Sequence, residues 1–212
     1  MPGKNSAVLF ASYLPPVQYF TAFLSHSPVL IEQHEHFPKQ TYRNRCHIYS
    51  ANGLLKLSIP IEHGHKEHVS IKDIKISYDA PWQKIHWRSI ESSYRCSPFF
   101  EFYEDEFVTV YEKRTDFLFD FNLQLLDIAL KLLKLPADYT LTESYVKEYP
   151  AETVDYRNKI TSKQGKENFT CPPYTQVFEN KHGFISNLSI IDLLCNEGPH
   201  SGAYLKECSF KV

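Results

Sequence analysis

The chain has 212 residues, 23 Lys plus Arg against 25 Asp plus Glu for a formal charge of −2, and 42% apolar residues. That length suits one domain, residues 1–212 taken whole; the apolar share excludes a mainly disordered chain, and the balanced charge argues against a general nucleic-acid binder. Only seven residues are glycine, against about 15 at the usual ~7%, and no window holds G-x-G-x-x-G or G-x-x-x-x-G-K-[ST], so both standard glycine loops for nucleotide phosphates are missing.

Five cysteines, an odd number without a C-x-x-C pair, fit thiols in a reducing cytosol better than a disulfide framework. Pro15-Pro16 cuts off the N-terminal apolar run too early for a signal peptide. No stretch approaches the ~18 apolar residues of a membrane span. The expectation is a soluble cytoplasmic protein.

In chain order, Ala7 to Tyr13 reads as a short buried strand. Pro15-Pro16 suits the first turn of a helix, where a missing N–H costs nothing, and Val17, Phe20, Phe23 and Leu24 recur at helical spacing. His26-Ser27-Pro28 stops that helix, and Val29 to Glu32 is a second strand, so the chain opens as a parallel strand–helix–strand unit. Thr41 to Tyr49 and Leu54 to Ile61 are two extended runs around Asn52-Gly53, a hairpin signal. Glu62 to Ser70 is a polar loop with His63, His65 and His68, and Ile71 to Ser77 alternates like a strand. Trp82 to Tyr94 turns helical. Arg114 to Leu135 carries the clearest helical stripe, Leu118, Phe121, Leu125, Ile128, Leu132 and Leu135, ended by Pro136. Tyr139 to Tyr149 resembles a strand, Ala151 to Pro173 a long polar loop, Tyr174 to Glu179 a strand, and Leu188 to Cys195 an amphipathic helix stopped by Gly198-Pro199. The expected fold is α/β, a mixed sheet with flanking helices and a helical segment around residues 82–135.

Without glycine loops, a bound phosphate must meet side chains or a bare helix N-terminus. Strand alternation puts Arg43 and Arg45 on one face, two guanidinium forks that suit an anion clamp, with Asn44 between them to orient a substrate. Lys39 and Arg88 are further cations for that site. The alternative is a solvated edge strand whose charges discourage aggregation. His86, between Trp82 and Trp87, is the candidate general base, with a hydrogen-bonded core histidine as the alternative. The His63/His65/His68 loop has the count for a zinc set, but no H-E-x-x-H helix or cysteine pair supports a metal, and a solvated loop is the simpler reading. The run Glu101 to Glu106 reads as a solvated acidic face.

Several of these stretches together resemble the WbqC-like family: Tyr13-Leu-Pro-Pro-Val-Gln-Tyr-Phe20, Lys39-Gln-Thr-Tyr-Arg-Asn-Arg-Cys46, Asn52-Gly53 with Leu57-Ser-Ile-Pro60, Trp82 with His86-Trp-Arg-Ser-Ile90, Pro98-Phe-Phe100, and Gly183 through Leu194 with Asn196-Glu-Gly-Pro199. The pieces are ordered along nearly the whole chain. Ala11-Ser12 stands where many members carry a Gln. The resemblance implies a bacterial protein, in some members tied to surface polysaccharide assembly, acting on a nucleotide-activated or lipid-linked sugar. On that reading the chain is a transferase with a small-molecule partner, no nucleic acid and no membrane span. Arg43, Asn44, Arg45, Lys39 and Arg88 hold substrate, and His86 is the base. The alternative is a non-enzymatic binding or assembly protein for the same machinery.

Overall fold

The computed structural model describes residues 5–62, 69–161 and 169–210. Strand β1 (Ser6–Phe10) leads through helix α1 (Val17–Ser25) to strand β2 (Val29–Glu32), which pairs parallel to β1 in the register Ala7↔Val29 to Phe10↔Glu32. β1 is flanked on both sides, and Ala7 through Phe10 are fully buried, so its unbroken apolar run reflects cover on both faces. The N-terminus of α1 is satisfied from far along the chain: Val17 N donates to Leu188 O (3.0 Å) and Gln18 N to Asn187 Oδ1 (3.0 Å).

Strands β3 (Arg45–Ser50) and β4 (Gly53–Ser58) form the expected hairpin, with Gly53 at φ +90° in the turn. The first strand starts later than the sequence suggests. Thr41–Asn44 form a turn, Asn44 N donating to Thr41 O (3.2 Å), so Arg43 and Arg45 do not share a strand face. Ile71–Asp73 is a single 3-10 turn, and the stretch after it makes only isolated bridges, Ile61↔Ile76 and Lys75↔Phe117, in place of the expected strand.

Helices α2 (Trp82–Tyr94), α3 (Phe100–Glu112) and α4 (Leu118–Leu132) fill the expected helical segment. α4 ends with Lys134 at φ +55° and Leu135 N bonded to Leu130 O (2.9 Å), a left-handed C-terminal closure made without glycine, with Pro136 just beyond. Strand β5 (Tyr139–Leu141) pairs with β2, and β6 (Thr153–Asp155) pairs with β1, both parallel, giving the order β5-β2-β1-β6. β6 lies inside the segment read as a loop. Its three residues are polar or half-buried, and pairing with β1 places them in the sheet. Beyond it come β7 (Phe169–Thr170), α5 (Glu179–His182), α6 (Ile190–Glu197), α7 (Ser201–Glu207) and β8 (Ser209–Phe210), with β7 and β8 antiparallel. Tyr174 to Phe178 forms no strand. The α/β class holds, with parallel and antiparallel pairing in separate sheets. One continuous apolar core joins the sheet to α1, α4 and α6. Among the described residues no helix is long and apolar enough to cross a membrane.

The chain leaves β1 toward β2 on one side, while β6 arrives on the other. The crevice beyond the carboxyl ends of β1 and β6 is therefore the switch point where open parallel sheets ordinarily bind ligands. Here protein spans it. The Arg43 guanidinium lies 4.2 Å over the Phe10 ring at the end of β1 and donates to Arg157 O (3.1 Å) just past β6.

Candidate functional site

α2 and α3 are joined by a short turn and lie antiparallel, Gln83 Nε2 at the start of one donating to Lys113 O past the end of the other (2.6 Å). At that end a cleft of about 580 Å³ opens. Its aromatic walls are Tyr78, Trp82, Trp87 and Tyr111, and its charged side chains are Asp79, Lys84, Glu112 and Arg114, all four exposed. Both tryptophans of the chain are in the walls. Tyr78 is fixed by a reciprocal pair with Thr115, donating to its carbonyl (2.9 Å) and accepting from its N–H (3.0 Å), and Arg114 lies 4.8 Å over the Tyr78 ring. Trp82 is 3% exposed, and its indole Nε1 is buried with no hydrogen-bond partner among the described residues. A buried donor left in this way costs about 1–3 kcal/mol unless something accepts from it.

Behind the wall runs a chain of buried polar groups. Tyr111 Oη is 2.7 Å from Tyr13 Oη, which is 2.9 Å from His86 Nδ1. The imidazole also donates to the Ser58 carbonyl. With Nδ1 facing a phenol, the donor is Nε2–H, so Tyr13 donates to Nδ1 and Tyr111 in turn donates to Tyr13. Burial drives the His86 pKa down to about 4, and the ring is neutral. His86 is thus the fixed end of a hydrogen-bond chain that orients Tyr111, and it does not line the cleft. Cys46 lies against Tyr13 in the same cluster, and burial pushes its thiol up.

The arginine pair separates. Arg43 Nε and Nη2 donate to Glu35 Oε1 and Oε2 (2.5 and 2.6 Å), with both side chains buried. Both its fork bonds go to a carboxylate of its own chain. Asn44 Nδ2 holds Ile59 O (3.1 Å), staking the turn to the end of the hairpin. Arg45 begins β3, half-buried, and helps hold the His47 pKa low, at about 4, behind the larger effect of burial. Lys39 and Arg88 are exposed. None of Lys39, Arg43, Asn44, Arg45 or Arg88 lines the cleft. A second ion pair parallels the first: Arg157 grips Asp155 and donates to Glu32 Oε2 (3.1 Å), while Glu32 Oε1 also accepts from Thr142 (3.0 Å) and His34 N (2.7 Å). His63, His65 and His68 lie outside the described residues.

The model of the WbqC-like protein family matches residues 11–173, a span that includes the cleft, the hairpin and both ion pairs. The chain belongs to the WbqC-like protein family. It is also similar to an uncharacterized protein, Rv1507c, of Mycobacterium tuberculosis (strain ATCC 25618 / H37Rv), 23% identical over 97% of this chain and 99% of that one. No solved structure matches.

In this WbqC-like chain, sequence reasoning missed three groups. Arg114 reaches the cleft from the start of a stretch read as helix, and Tyr78 and Glu112 reach it from positions between the segments that were read. Glu35 and Glu32 carried no signal, because their partners are set by folding. Asp192 was read as part of an amphipathic helix. It is fully buried, with Tyr174 and Gln176 donating to Oδ1 (2.5 and 3.0 Å) and Tyr94 to Oδ2 (3.0 Å). Burial raises its pKa to about 6 although all three donors favour the carboxylate.

Proposed function

We propose that the cleft between Tyr78 and Arg114 binds an activated sugar, and that the protein transfers its glycosyl group in the assembly of a bacterial surface polysaccharide. The observation that carries this reading is the composition of the cleft: four aromatic rings with two cations and two carboxylates. Its volume of about 580 Å³ suits one small ligand. Aromatic faces take the apolar faces of sugar rings. Lys84 and Arg114 supply positive charge for a phosphate in a chain without a glycine cradle.

In the transfer, an acceptor hydroxyl attacks the anomeric carbon. The bond to the activating phosphate breaks, and its electrons leave with the phosphate toward the cations. The hydroxyl proton passes to a carboxylate, Asp79 or Glu112. Tyr111, oriented through Tyr13 by His86, fixes the wall on which the sugar rests. His86 is then a positioning residue, and Arg43 a scaffold residue that closes the sheet crevice.

Tryptophan fluorescence reads the cleft directly, because both tryptophans are in it. Titration with a panel of nucleotide sugars gives a saturable change that Lys84→Ala/Arg114→Ala weakens at least tenfold without altering the circular dichroism. A panel that leaves the emission unchanged, or binding retained in the double variant, refutes the reading. Ile85 and Phe102, 54% and 75% exposed on α2 and α3, favour the second reading, a protein that docks on the polysaccharide machinery; capture of a defined assembly protein, lost in Phe102→Ser, with no turnover of any donor, is its signature.

A further inference from the structure

β7 and β8 pair antiparallel with Phe169 opposite Phe210 and Thr170 opposite Ser209. One step further along the same register sets Cys171 opposite Cys208. Directly opposed residues on an antiparallel ladder have Cα atoms about 4.5–5.5 Å apart, inside the roughly 4.4–6.8 Å that a disulfide spans. The side chains meet as well: the two thiols are in hydrogen-bonding contact, and that contact, with burial, pushes the Cys208 thiol well up. Tyr204 closes the site, its hydroxyl donating to Pro172 O (2.6 Å) while its carbonyl accepts from Cys208 Sγ (3.4 Å). Cys46 and Cys195 sit elsewhere, beside Tyr13 and Asp192.

We propose that Cys171 and Cys208 are a redox modification site, two thiols that close into a reversible disulfide stapling the C-terminal strand to β7. Cys171 is half-buried and Cys208 only 6% exposed, so an oxidant enters at Cys171. With a small disulfide such as oxidised glutathione, the Cys171 thiolate attacks one sulfur. This forms a mixed disulfide and releases one glutathione thiolate, which takes up a proton. The Cys208 thiol then loses its proton and attacks the Cys171 sulfur, and the second glutathione leaves. Two protein thiols are oxidised to one disulfide, and one glutathione disulfide is reduced to two thiols. A glutathione-rich cytosol holds the pair reduced, and disulfide or peroxide stress closes it.

The bond ties together residues 37 positions apart, a loop containing α5, α6 and α7, and pins a ladder of two residue pairs. Phe210, two residues on, packs 5.2 Å from Tyr156 and 5.6 Å from Phe169. The staple therefore fixes the segment that covers Tyr156, next to Arg157 of the buried ion pair. Closing a loop of this length, allowing for strain, raises Tm by roughly 5–10 °C.

The test is to incubate the full chain with oxidised glutathione, block remaining thiols, digest with trypsin and map the peptides, with Tm measured in parallel. The expected product is a cross-link between the peptides holding Cys171 and Cys208, five thiols falling to three, and a Tm gain of that size. Dithiothreitol abolishes both, and Cys171→Ser lacks both. If Cys208→Ser fails to fold, Cys171→Ser at its half-buried position carries the comparison alone. Glutathione on Cys171 without the cross-link, dimers through the exposed Cys96 as the sole product, or a cross-link with unchanged Tm overturns the proposal.

Discussion

Arg43→Ala separates an anion clamp from a scaffold. In a clamp, the substitution weakens ligand binding and leaves stability almost unchanged. In this structure the side chains of Arg43 and Glu35 are 3% and 9% exposed and doubly hydrogen-bonded. Removing one partner of such a pair leaves an uncompensated buried charge and costs about 3–5 kcal/mol. At 2–4 °C per kcal/mol for a chain of this size, Tm falls by roughly 10 °C. The loss depends on pH. Burial outweighs the Arg43 contribution and holds the Glu35 pKa above the ordinary carboxylate value. The folded state therefore keeps a proton the unfolded state releases, and this group favours folding at low pH and loses that contribution as pH rises through its folded pKa. Without Arg43 the carboxyl is pushed higher still, so the deficit of the variant is largest at neutral pH and shrinks as the solution is acidified. Thermal unfolding by circular dichroism across that range is the assay. Arg43→Met/Glu35→Leu, which removes both charges and keeps bulk, recovers most of the lost Tm. An Arg43→Ala protein that melts within ~2 °C of wild type at neutral pH and fails to bind ligand refutes the scaffold assignment.

Three further outcomes follow from the buried groups and one backbone site. Asp192, raised from 3.8 to about 6, makes the fold bind a proton between those values, so stability declines as pH rises through that window; Asp192→Asn removes this slope and, by setting an amide N–H₂ against a tyrosine hydroxyl, lowers stability by about 1–3 kcal/mol in calorimetry. His86, held at about 4 against an ordinary 6.5, contributes stability at neutral pH that is lost as pH falls through those values; its ring signals in NMR stay unshifted from pH ~8 to pH ~5.5, and a midpoint inside that range refutes the neutral hydrogen-bond chain. Gly198 has φ +51°, and a Cβ there would sit 2.5 Å from Phe99 ring carbons; Gly198→Ala costs about 2–3 kcal/mol, read from the urea midpoint.

The opening strand–helix–strand unit, the Asn52-Gly53 hairpin and the helices between Trp82 and Leu135 were legible because local periodicity and turn chemistry decide them. β6 was not, because three residues in a polar stretch become a strand only when β1 offers a partner. The expected strand after Ile71 failed for the complementary reason: its alternation is real, with Ile71, Ile74 and Ile76 buried, but it finds only isolated bridging partners. In the candidate site, the aromatic and histidine segment of α2 was visible, while its role was not. His86 reads as a base when only its neighbours in sequence are known, and as a buried anchor once Tyr13, 73 residues away, is found 2.9 Å from its Nδ1.

The amino-acid sequence by itself determined the α/β class, the order of most elements, the absence of a glycine phosphate cradle and the family to which the chain belongs. These follow from residue spacing, backbone freedom and an ordered set of local motifs. The tertiary structure alone decided which charged side chains pair with one another and which gather around a cleft. Arg43 looked available until folding set Glu35 against it. Asp79, Lys84, Glu112 and Arg114 carry no local sequence signal, and the fold gathers them around two tryptophans. A side chain's chemistry depends on what lies within a few ångströms of it, and for these residues the neighbours come from other elements of the fold.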